Sequence, residues 1–386
     1  MYCGIFFLCI SKHNTCDVLN YINIDLGGRT VKGIGGISTN FAGVFDGQGY
    51  TISNFKVDST ENSFYAGLFN QVSHGGTIKN LTVKNATIVG NSMVGAVASS
   101  LDNAVIDNCK AIDCTLIGVK KVGAVVGYSA GSTVTNNYAE NCTVIYSETE
   151  GGEILGYQNT GSTVSNNTAN NVSVNQGVAV SSADELVALG GTKINGKYIL
   201  TADIDMTGKA MKSMEISDGA VVNFDGNGHT ISNLNLGAAT LNGMTGAGNE
   251  VAGLFDLTAP ATTVSLTVSD LTVKNATVSC SGFAAAIVGY NPNGGTVITL
   301  NNVDVDGATV TADSVAALVA YSTGKVNLNN CDVNGLALTG EEGRADKVGA
   351  YIGTANTTSC VVTVTNCTNG TTYNDYGRVI YGATYN

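Results

Sequence analysis

The sequence predicts an all-β protein that folds as a right-handed parallel β-helix, a solenoid of about ten coils in two tandem modules. Three observations lead to this prediction. A short phrase recurs every 28 residues, a longer duplication spans about 180 residues, and the composition is rich in glycine but only 12% charged. A fixed period of this size is typical of a solenoid, because each repeat forms one coil that stacks on its neighbours.

The short repeat is clearest between residues 78 and 118. Residues 78–90 are repeated as 106–118, a third copy at 134–145 keeps the shift of 28 residues, and a fourth follows at a shift of 30. Each copy holds an asparagine at the same place, so we expect a structural ladder of asparagines that runs from coil to coil. The expected ladder is Asn54, Asn80, Asn108, Asn136 and Asn166, followed in the second module by Asn233, Asp270, Asn302, Asn330 and Asn366. A coil of this length has room for three short strands and three turns.

The long duplication defines the two modules. Residues 45–55 recur as 224–234 at a shift of 179, and both copies contain the turn phrase Asp-Gly-x-Gly followed by alternating apolar residues. Glycine supplies the positive φ that such turns need, and the alternation is typical of a strand. Residues 67–70, Gly-Leu-Phe-Asn, reappear as Gly-Leu-Phe-Asp at 253–256.

The joint between the modules predicts a short helix near residues 182–189. Ser182 and Glu185 have the spacing of a capping box, and Gly190 can end the helix. We therefore divide the chain into an unassigned segment 1–20, a first β-helix module 21–179, and a second module 180–386 that begins with this capping helix. The spacing is looser in the second module, which predicts excursions at residues 239–250 and 340–347.

The repeated asparagines have two interpretations. If they stack at an inward turn, each amide can bond to the next and to backbone groups, which would satisfy polar atoms that are costly to bury unpaired. The alternative is a row of ligand-binding amides on one face. A second recurring set, Val-Gly-Ala-Val at 94–97 and 122–125, provides small residues that let parts of one coil approach closely.

Charge and hydropathy exclude several classes of partner. The net charge of −12 and the isoelectric point near 4.6 argue against a basic face for nucleic acid. The apolar run at residues 2–10 is too short to span a bilayer and is a poor signal peptide. The first module has no counterpart of the capping helix, which suggests that the chain belongs to a larger parent polypeptide.

The ten cysteines predict neither a metal site nor a redox motif. No two of them form a CxxC pair, so a zinc or thioredoxin-like site has little support. Cys114 and Cys142 take the place of Ala86 and Val172 in other repeats, which predicts buried free thiols used as small apolar residues. The alternative is a disulfide between adjacent coils. No cofactor is expected.

The Gly-Leu-Phe-x and Phe-Asp-Gly-x-Gly-x-Thr-Ile-Ser-Asn phrases resemble the GLUG-motif proteins. These are bacterial cell-surface proteins with repeated β-helical coils, and some are attached to immunoglobulin-A-cleaving metallopeptidases. Asn70 and Asp256 replace the last glycine of the motif, and the chain has no His-Glu-x-x-His, so the peptidase activity does not carry over. The resemblance implies a secreted or surface-displayed adhesin-like repeat region.

We therefore expect a non-enzymatic scaffold that binds a glycan or a host surface protein. The rival hypothesis is a polysaccharide lyase or glycoside hydrolase built on a β-helix. The recurring acids, Asp25 with Asp205 and Asp46 with Asp225, appear once in each module, whereas a catalytic site would be unique. Turn capping is the preferred role for these acids, ahead of calcium binding and catalysis. A threonine-rich ice-binding face is a further alternative.

Overall fold

The computed structural model divides into two compact units, one ending at Ala179 and the other beginning at Val180. Each unit has its own hydrophobic core and is described by itself. The structure describes residues 22–36, 39–59, 64–216, 219–237, 239–240, 250–257, 263–340, 345–380 and 384–385. The segment 1–20, with Cys3, Cys9 and Cys16, lies outside these ranges.

The predicted fold class is confirmed, because nearly all strands are parallel and stack coil on coil in a β-solenoid of about ten turns. In the first unit, Ile78 pairs in register with Ile106, and Ile106 pairs with Val134. These steps are the 28-residue shifts of the sequence. The strands of this unit are Ile24–Thr30, Val44–Asp46, Thr51–Ser59, Tyr65–Ala66, Phe69–Ser73, Thr77–Lys79, Thr82–Gly90, Met93–Gly95, Ala98–Asp102, Val105–Asp107, Lys110–Ile112, Thr115–Gly123, Val126–Ala130, Thr133–Thr135, Tyr138–Glu140, Thr143–Gly152, Leu155–Gln158, Thr163–Ser165, Thr168–Asn170 and Ser173–Gln176. The strand Val178–Val180 lies across the division between the two units.

The second unit has the same organisation with longer connections. Its long strand Ser265–Lys274 pairs in parallel with Val297–Asp306 over its full length. The remaining strands are Lys193–Ile194, Gly196–Leu200, Ile204–Asp205, Met214–Ile216, Val221–Asp225, Thr230–Ser232, Asn235–Leu236, Ala239–Thr240, Glu250–Ala252, Phe255–Asp256, Thr277–Ser279, Phe283–Ala285, Thr309–Thr311, Ser314–Ala316, Val319–Ser322, Lys325–Asn329, Asp332–Asn334, Ala337–Thr339, Val348–Gly349, Ile352–Asn356, Val361–Thr365, Thr368–Asn369, Tyr376–Ile380 and Thr384–Tyr385.

A 28-residue coil holds four strands rather than the expected three. One coil consists of Thr77–Lys79, Thr82–Gly90, Met93–Gly95 and Ala98–Asp102. The second of these strands bends at Asn85, which has a φ of 50°. Asparagine tolerates this left-handed conformation, so the strand turns a corner without ending.

The core of each unit comes from side chains that alternate inward along the strands. Ile78, Ile106 and Val134 occupy one inward column and are fully buried. Burying one such aliphatic side chain stabilises a fold by about 1.5–3 kcal/mol. Stacking is what makes this burial possible, because the inward face of each coil is closed by the coils on either side.

The helix at the start of the second unit is Ala183–Leu189, with Ser182 at its N-cap. The Glu185 amide donates to Ser182 Oγ (3.3 Å), whereas the Glu185 carboxylate accepts from the amide and hydroxyl of Ser181. In a standard capping box the glutamate carboxylate would accept from the amide of the N-cap residue, Ser182, whereas here it accepts from Ser181. Gly190 has an extended backbone, and the glycine in the left-handed region is Gly191, with a φ of 71°.

Parts of the two expected excursions are described. At the first, Ala239–Thr240 pairs with Glu250–Ala252 in antiparallel fashion, unlike the parallel coils around it. At the second, Ala345–Lys347 forms a single 3₁₀ turn. Residues 241–249 and 341–344, which complete the expected loops, lie outside the described ranges.

Candidate functional site

The residues of the expected ladder occupy two different turns of the coil. The first-turn column contains Asn80, Asn108, Asn136 and Asn166 in one unit and Asp270, Asn302, Asn330 and Asn366 in the other. The second-turn column contains Asn54, Asn85, Asp113, Asn141 and Asn171 in one unit and Asn233 and Asn275 in the other. All of these residues have φ between 50° and 58°, which explains the recurrence of asparagine and aspartate.

The sequence register of Asn54 and Asn233 was therefore wrong. Asn54 lies beside Asn85 rather than Asn80, because Ser53 pairs with Lys84, and Asn85 Nδ2 donates to Asn54 Oδ1 at 2.6 Å. The cause is the Asp-Gly-x-Gly turn, which places four residues between Asp46 and Thr51 where the next coil has two. Gly47 and its counterpart Gly226 occupy the first-turn position in these coils. A Cβ on either glycine would lie within 2.6 Å of a carbonyl oxygen in the next coil.

The expectation that the ladder asparagines point inward was also wrong. Asn108, Asn136 and Asn166 are exposed at the outer surface. The left-handed residue of such a turn projects outward, and the residue after it enters the core. The ladder bonds are also discontinuous. Asn108 Nδ2 donates to Asn80 Oδ1 (2.8 Å), whereas Asn136 Nδ2 donates to Asp107 Oδ1 (2.7 Å).

A buried asparagine pair lies one residue beyond the first-turn column and was missed from the sequence. Asn137 is only 1% exposed and stacks on Asn167 of the next coil. Asn137 Oδ1 accepts from the backbone amide of Cys109, and Asn167 Oδ1 accepts from the amide of Asn137, both at 2.9 Å. The signal was the Asn-Asn doublet at 136–137 and 166–167, where the other first-turn asparagines of this unit are followed by Leu or Cys.

The recurring acids cap turns, as preferred from the sequence. Oδ1 of Asp25, Asp46, Asp205 and Asp225 each accepts from the backbone amide two residues later, at 2.8–3.0 Å. Asp46 also accepts from Asn80 Nδ2 and pairs with Lys79 at 3.3 Å. The Asn80 hydrogen bond is the largest influence that lowers the pKa of Asp46. Within the described residues, no group of three or more His, Cys, Asp or Glu side chains is placed to hold a metal ion.

The described cysteines are free thiols, and most are buried. The thiols of Cys109, Cys114 and Cys142 lie near the backbone carbonyl oxygens of Ile78, Val83 and Ala111, respectively. Burial raises the pKa of Cys109 to about 12, so this thiol is protonated at neutral pH. The interpretation as small apolar residues is confirmed for these positions, and disulfides between adjacent coils are not formed among the described cysteines.

A surface feature that sequence reasoning missed is the aromatic corner, one in each unit. It consists of Tyr128, Tyr157 and Lys121 in the first unit and of Tyr290, Tyr321 and Phe283 in the second. The signal was a recurring apolar–small–Tyr triplet, namely Val-Gly-Tyr at 126–128 and 288–290, Leu-Gly-Tyr at 155–157 and Val-Ala-Tyr at 319–321. The small residue lies where adjacent coils approach closely, since a Cβ on Gly127 would lie 2.5 Å from Val94 N of the preceding coil.

In the first unit, the aromatic corner combines two stacked rings with one cation. Tyr128 and Tyr157 lie in adjacent coils with ring centroids 5.9 Å apart and an interplanar angle of 12°. Lys121 Nζ lies 4.7 Å from the Tyr128 centroid and 5.1 Å from the Tyr157 centroid. Asn159 Nδ2 donates to the Tyr128 hydroxyl at 2.7 Å, which fixes the orientation of that ring.

In the second unit, a third aromatic ring replaces the cation. Tyr290 and Tyr321 stack with centroids 5.1 Å apart, and Phe283 packs within 5.0 Å of both ring centroids. Asn356 Nδ2 donates to the Tyr321 hydroxyl at 2.6 Å. Beneath Phe283 is a small cluster of buried alanines that is separate from the main core, formed by Ala285, Ala316 and Ala320.

The two corners use the same position of the coil, although the tyrosine held by an asparagine is the first of its corner in one unit and the second in the other. Tyr128 lies two residues after the buried Val126, and Tyr321 lies two residues after the buried Val319. In both units the asparagine that holds the hydroxyl comes from the next coil, two residues after the position paired with that tyrosine. The tyrosines are half-buried, so each ring keeps part of its surface in contact with solvent.

Behind the second corner lies a buried acid, Asp256, which is 1% exposed. Both carboxylate oxygens are shielded from solvent, and Oδ1 lies 2.4 Å from where a Cβ on Gly289 would be. Burial raises the pKa of Asp256 well above its usual value. Asn70 is the counterpart of Asp256 in the first unit, so the second unit has a carboxyl where the first has an amide.

These features define the protein as a parallel β-solenoid with a repeated, partly aromatic surface. No protein-family model matches the chain. Over 71 residues the chain is 39% identical to halomucin of Haloquadratum walsbyi, a match that covers 18% of this chain and 1% of halomucin. Among solved structures, the catalytic domain of a GH87 α-1,3-glucanase in complex with nigerose aligns at 15% identity with a TM-score of 0.24, covering 92% of this chain and 62% of that one. No helix in the described residues is long and apolar enough to cross a membrane.

Proposed function

We propose that the chain is a non-enzymatic, adhesin-like repeat scaffold that is secreted or displayed at a cell surface, and that its aromatic corners bind a glycan. The observation that carries this proposal is the recurrence of one surface arrangement in both units. A stacked tyrosine pair occupies the same register, and an asparagine amide holds one hydroxyl in each pair.

The chemistry of the corner suits a sugar. A pyranose ring has an apolar face of C–H groups and a rim of hydroxyls, so it binds well where aromatic rings lie beside amides and hydroxyls. Tyrosine provides both kinds of surface, because its ring is apolar and its hydroxyl is polar. Rings that are already held by stacking and by an asparagine lose little conformational entropy when a ligand binds.

The acids of the chain support a scaffold rather than an enzyme. Asp46 and Asp225 occupy equivalent turns in the two units, and each is paired with a lysine, Lys79 or Lys197, at 3.3–3.4 Å. Both also accept a backbone amide of their own turn. Carboxylates that recur in this way are accounted for by turn structure. The resemblance to GLUG-motif surface proteins agrees with this function.

The experiment that tests the proposal is a glycan array probed with the full chain, together with a reducing-sugar release assay on each glycan that binds. We expect binding to at least one glycan class without release of reducing ends. Tyr128→Ala combined with Tyr321→Ala should abolish that binding, whereas Tyr138→Ala, a tyrosine outside both corners, should not. Release of sugar at ordinary enzymatic rates would overturn the scaffold function. Binding only to host surface proteins would replace the glycan as partner.

A further inference from the structure

The side chain that packs against the stacked tyrosines is charged in the first aromatic corner and aromatic in the second. Seven residues before the first tyrosine of each corner, the first unit has Lys121 and the second has Phe283. Both side chains lie against the stacked tyrosines of their own corner. The corners therefore share a framework and differ in the chemical group that it presents.

The Lys121 ammonium lies over two aromatic rings. The ion pairs of the described residues leave it without a carboxylate partner, although the net charge of the chain is −12. Its contacts are the two tyrosine rings, which attract a cation but do not neutralise it. Glu150 holds the position paired with Lys121 in the next coil, but no ion pair within 4 Å joins the two side chains. An anion that reaches this corner would therefore meet an ammonium whose closest recorded contacts are the two rings.

The backbone at Lys121 is held in an unfavourable conformation. Its φ of 58° lies in the left-handed region, which costs a residue with a Cβ roughly 1–2 kcal/mol. The strand pairing with the next coil also slips between Gly118 and Lys120, immediately before this residue. Such irregularities re-aim side chains and are common beside binding sites.

We propose that the first aromatic corner binds an acidic saccharide, with Lys121 contacting a uronate carboxylate while the sugar ring lies against Tyr128 and Tyr157. The second corner, with Phe283 in the place of Lys121, takes a neutral saccharide. This assignment rests on the proposed function and deepens it, because it names the chemical class of ligand that each corner takes. Lys121 is the residue that determines the specificity.

The test uses the full chain and two probes with the same sugar backbone, the charged tetragalacturonate and its uncharged, fully methyl-esterified form. Binding of each probe is measured by isothermal titration calorimetry. Lys121→Asn should weaken binding of the acid by about 3- to 10-fold, the range for losing one charged contact at a partly exposed site. Binding of the ester should be unchanged. Asparagine tolerates the left-handed backbone, so this variant is expected to fold.

Two further variants separate charge from structure. Lys121→Arg keeps the cation and should retain most of the affinity for the acid. Phe283→Leu should weaken binding of the ester and leave binding of the acid unchanged. Raising the ionic strength from 0.05 to 0.5 M should weaken binding of the acid in the parent chain and have little effect in Lys121→Asn, because salt screens the charge interaction.

The possible failures are distinguishable. If the two probes bind with equal affinity and Lys121→Asn changes neither, the charge assignment is overturned while the proposed glycan-binding function stands. If neither probe binds but a neutral glycan on the array does, the acidic class is likewise overturned. If no glycan binds at all, both this inference and the glycan-binding function fall together.

Discussion

Asparagine sets the turns of this solenoid at the level of single residues. Both turn columns place it in the left-handed region, where other side chains are strained and glycine would lose more entropy on folding. The sequence therefore predicted which residues form turns. It did not distinguish the two turns, because the pattern Asn followed by a small or apolar residue occurs twice in a coil, as at Asn80 and Asn85.

A substitution at Asn108 tests the importance of the left-handed backbone. Asn108→Ala should destabilise the first unit by about 1 kcal/mol, since alanine resists a φ of 50° and the bond to Asn80 is lost. For a unit of this size, the thermal midpoint should fall by about 2–4 °C. Asn108→Gly, which also loses the side chain but suits the backbone, is the control. Equal losses in the two variants would mean that the backbone conformation does not matter.

The buried carboxyl of Asp256 predicts a specific dependence of stability on pH. Burial raises its native pKa, so above about pH 4 the native state keeps a proton that the unfolded chain has released. The stabilisation that the protonated Asp256 carboxyl contributes is fully present below the pKa that this carboxyl has in the unfolded chain. As the pH rises from there to the native pKa, stability falls by about 1.4 kcal/mol per pH unit.

Asp256→Asn should remove this dependence, because the amide does not titrate. Urea unfolding of parent and variant between pH 4 and 9 measures the effect, and the variant should gain stability relative to the parent as the pH rises. Asp205→Asn is the control, since hydrogen bonds from Asn233 and Thr207 lower the pKa of Asp205 and confine its effect, of opposite sign, to pH below about 4. Between pH 4 and 9 the stability difference between parent and Asp205→Asn should not vary. A difference between parent and Asp256→Asn that does not vary with pH would show that Asp256 is ionised in the folded chain.

At the scale of the turn and its two strands, the sequence predicted stacking better than side-chain direction. The 28-residue shift fixed which strands pair, because one-residue slips would move apolar residues to the surface. Whether Asn136 or Asn137 points inward depends on the geometry of the left-handed turn, which repetition does not reveal. The corners were missed for a similar reason, since their tyrosines recur at 29 and 31 residues while the residues between them vary.

The inward pair formed by Asn137 and Asn167 should matter more than the exposed ladder. Asn137→Leu keeps a side chain of similar volume but leaves the buried amide of Cys109 without its acceptor. We expect a loss of about 1–3 kcal/mol in the stability of the first unit. Asn136→Gly, at the adjacent exposed position, should have little effect. Hydrogen exchange at the Cys109 amide gives a direct readout, and unchanged protection there would contradict the prediction.

At the scale of the whole molecule, the regular register predicts that one coil can be removed. Deleting residues 105–132 joins Ala104 to Thr133, and Thr133 can then take the place of Val105 beside Thr77. Because each coil contacts mainly its neighbours, the shortened chain should fold with a lower thermal midpoint. Deleting only residues 105–118 shifts every later strand out of register and should prevent folding of the first unit. Circular dichroism and size-exclusion chromatography distinguish the outcomes, and loss of fold in both deletions would contradict the prediction.

Parallel pairing between coils also has a mechanical consequence. The hydrogen bonds that join one coil to the next lie nearly along the direction in which the coils of a unit stack. Tension applied along that direction is carried by all of the interfaces in series, so the weakest coil would be released first and a unit would lengthen in steps rather than rupture at once. A solenoid built in this way extends gradually under tension while its remaining coils stay folded.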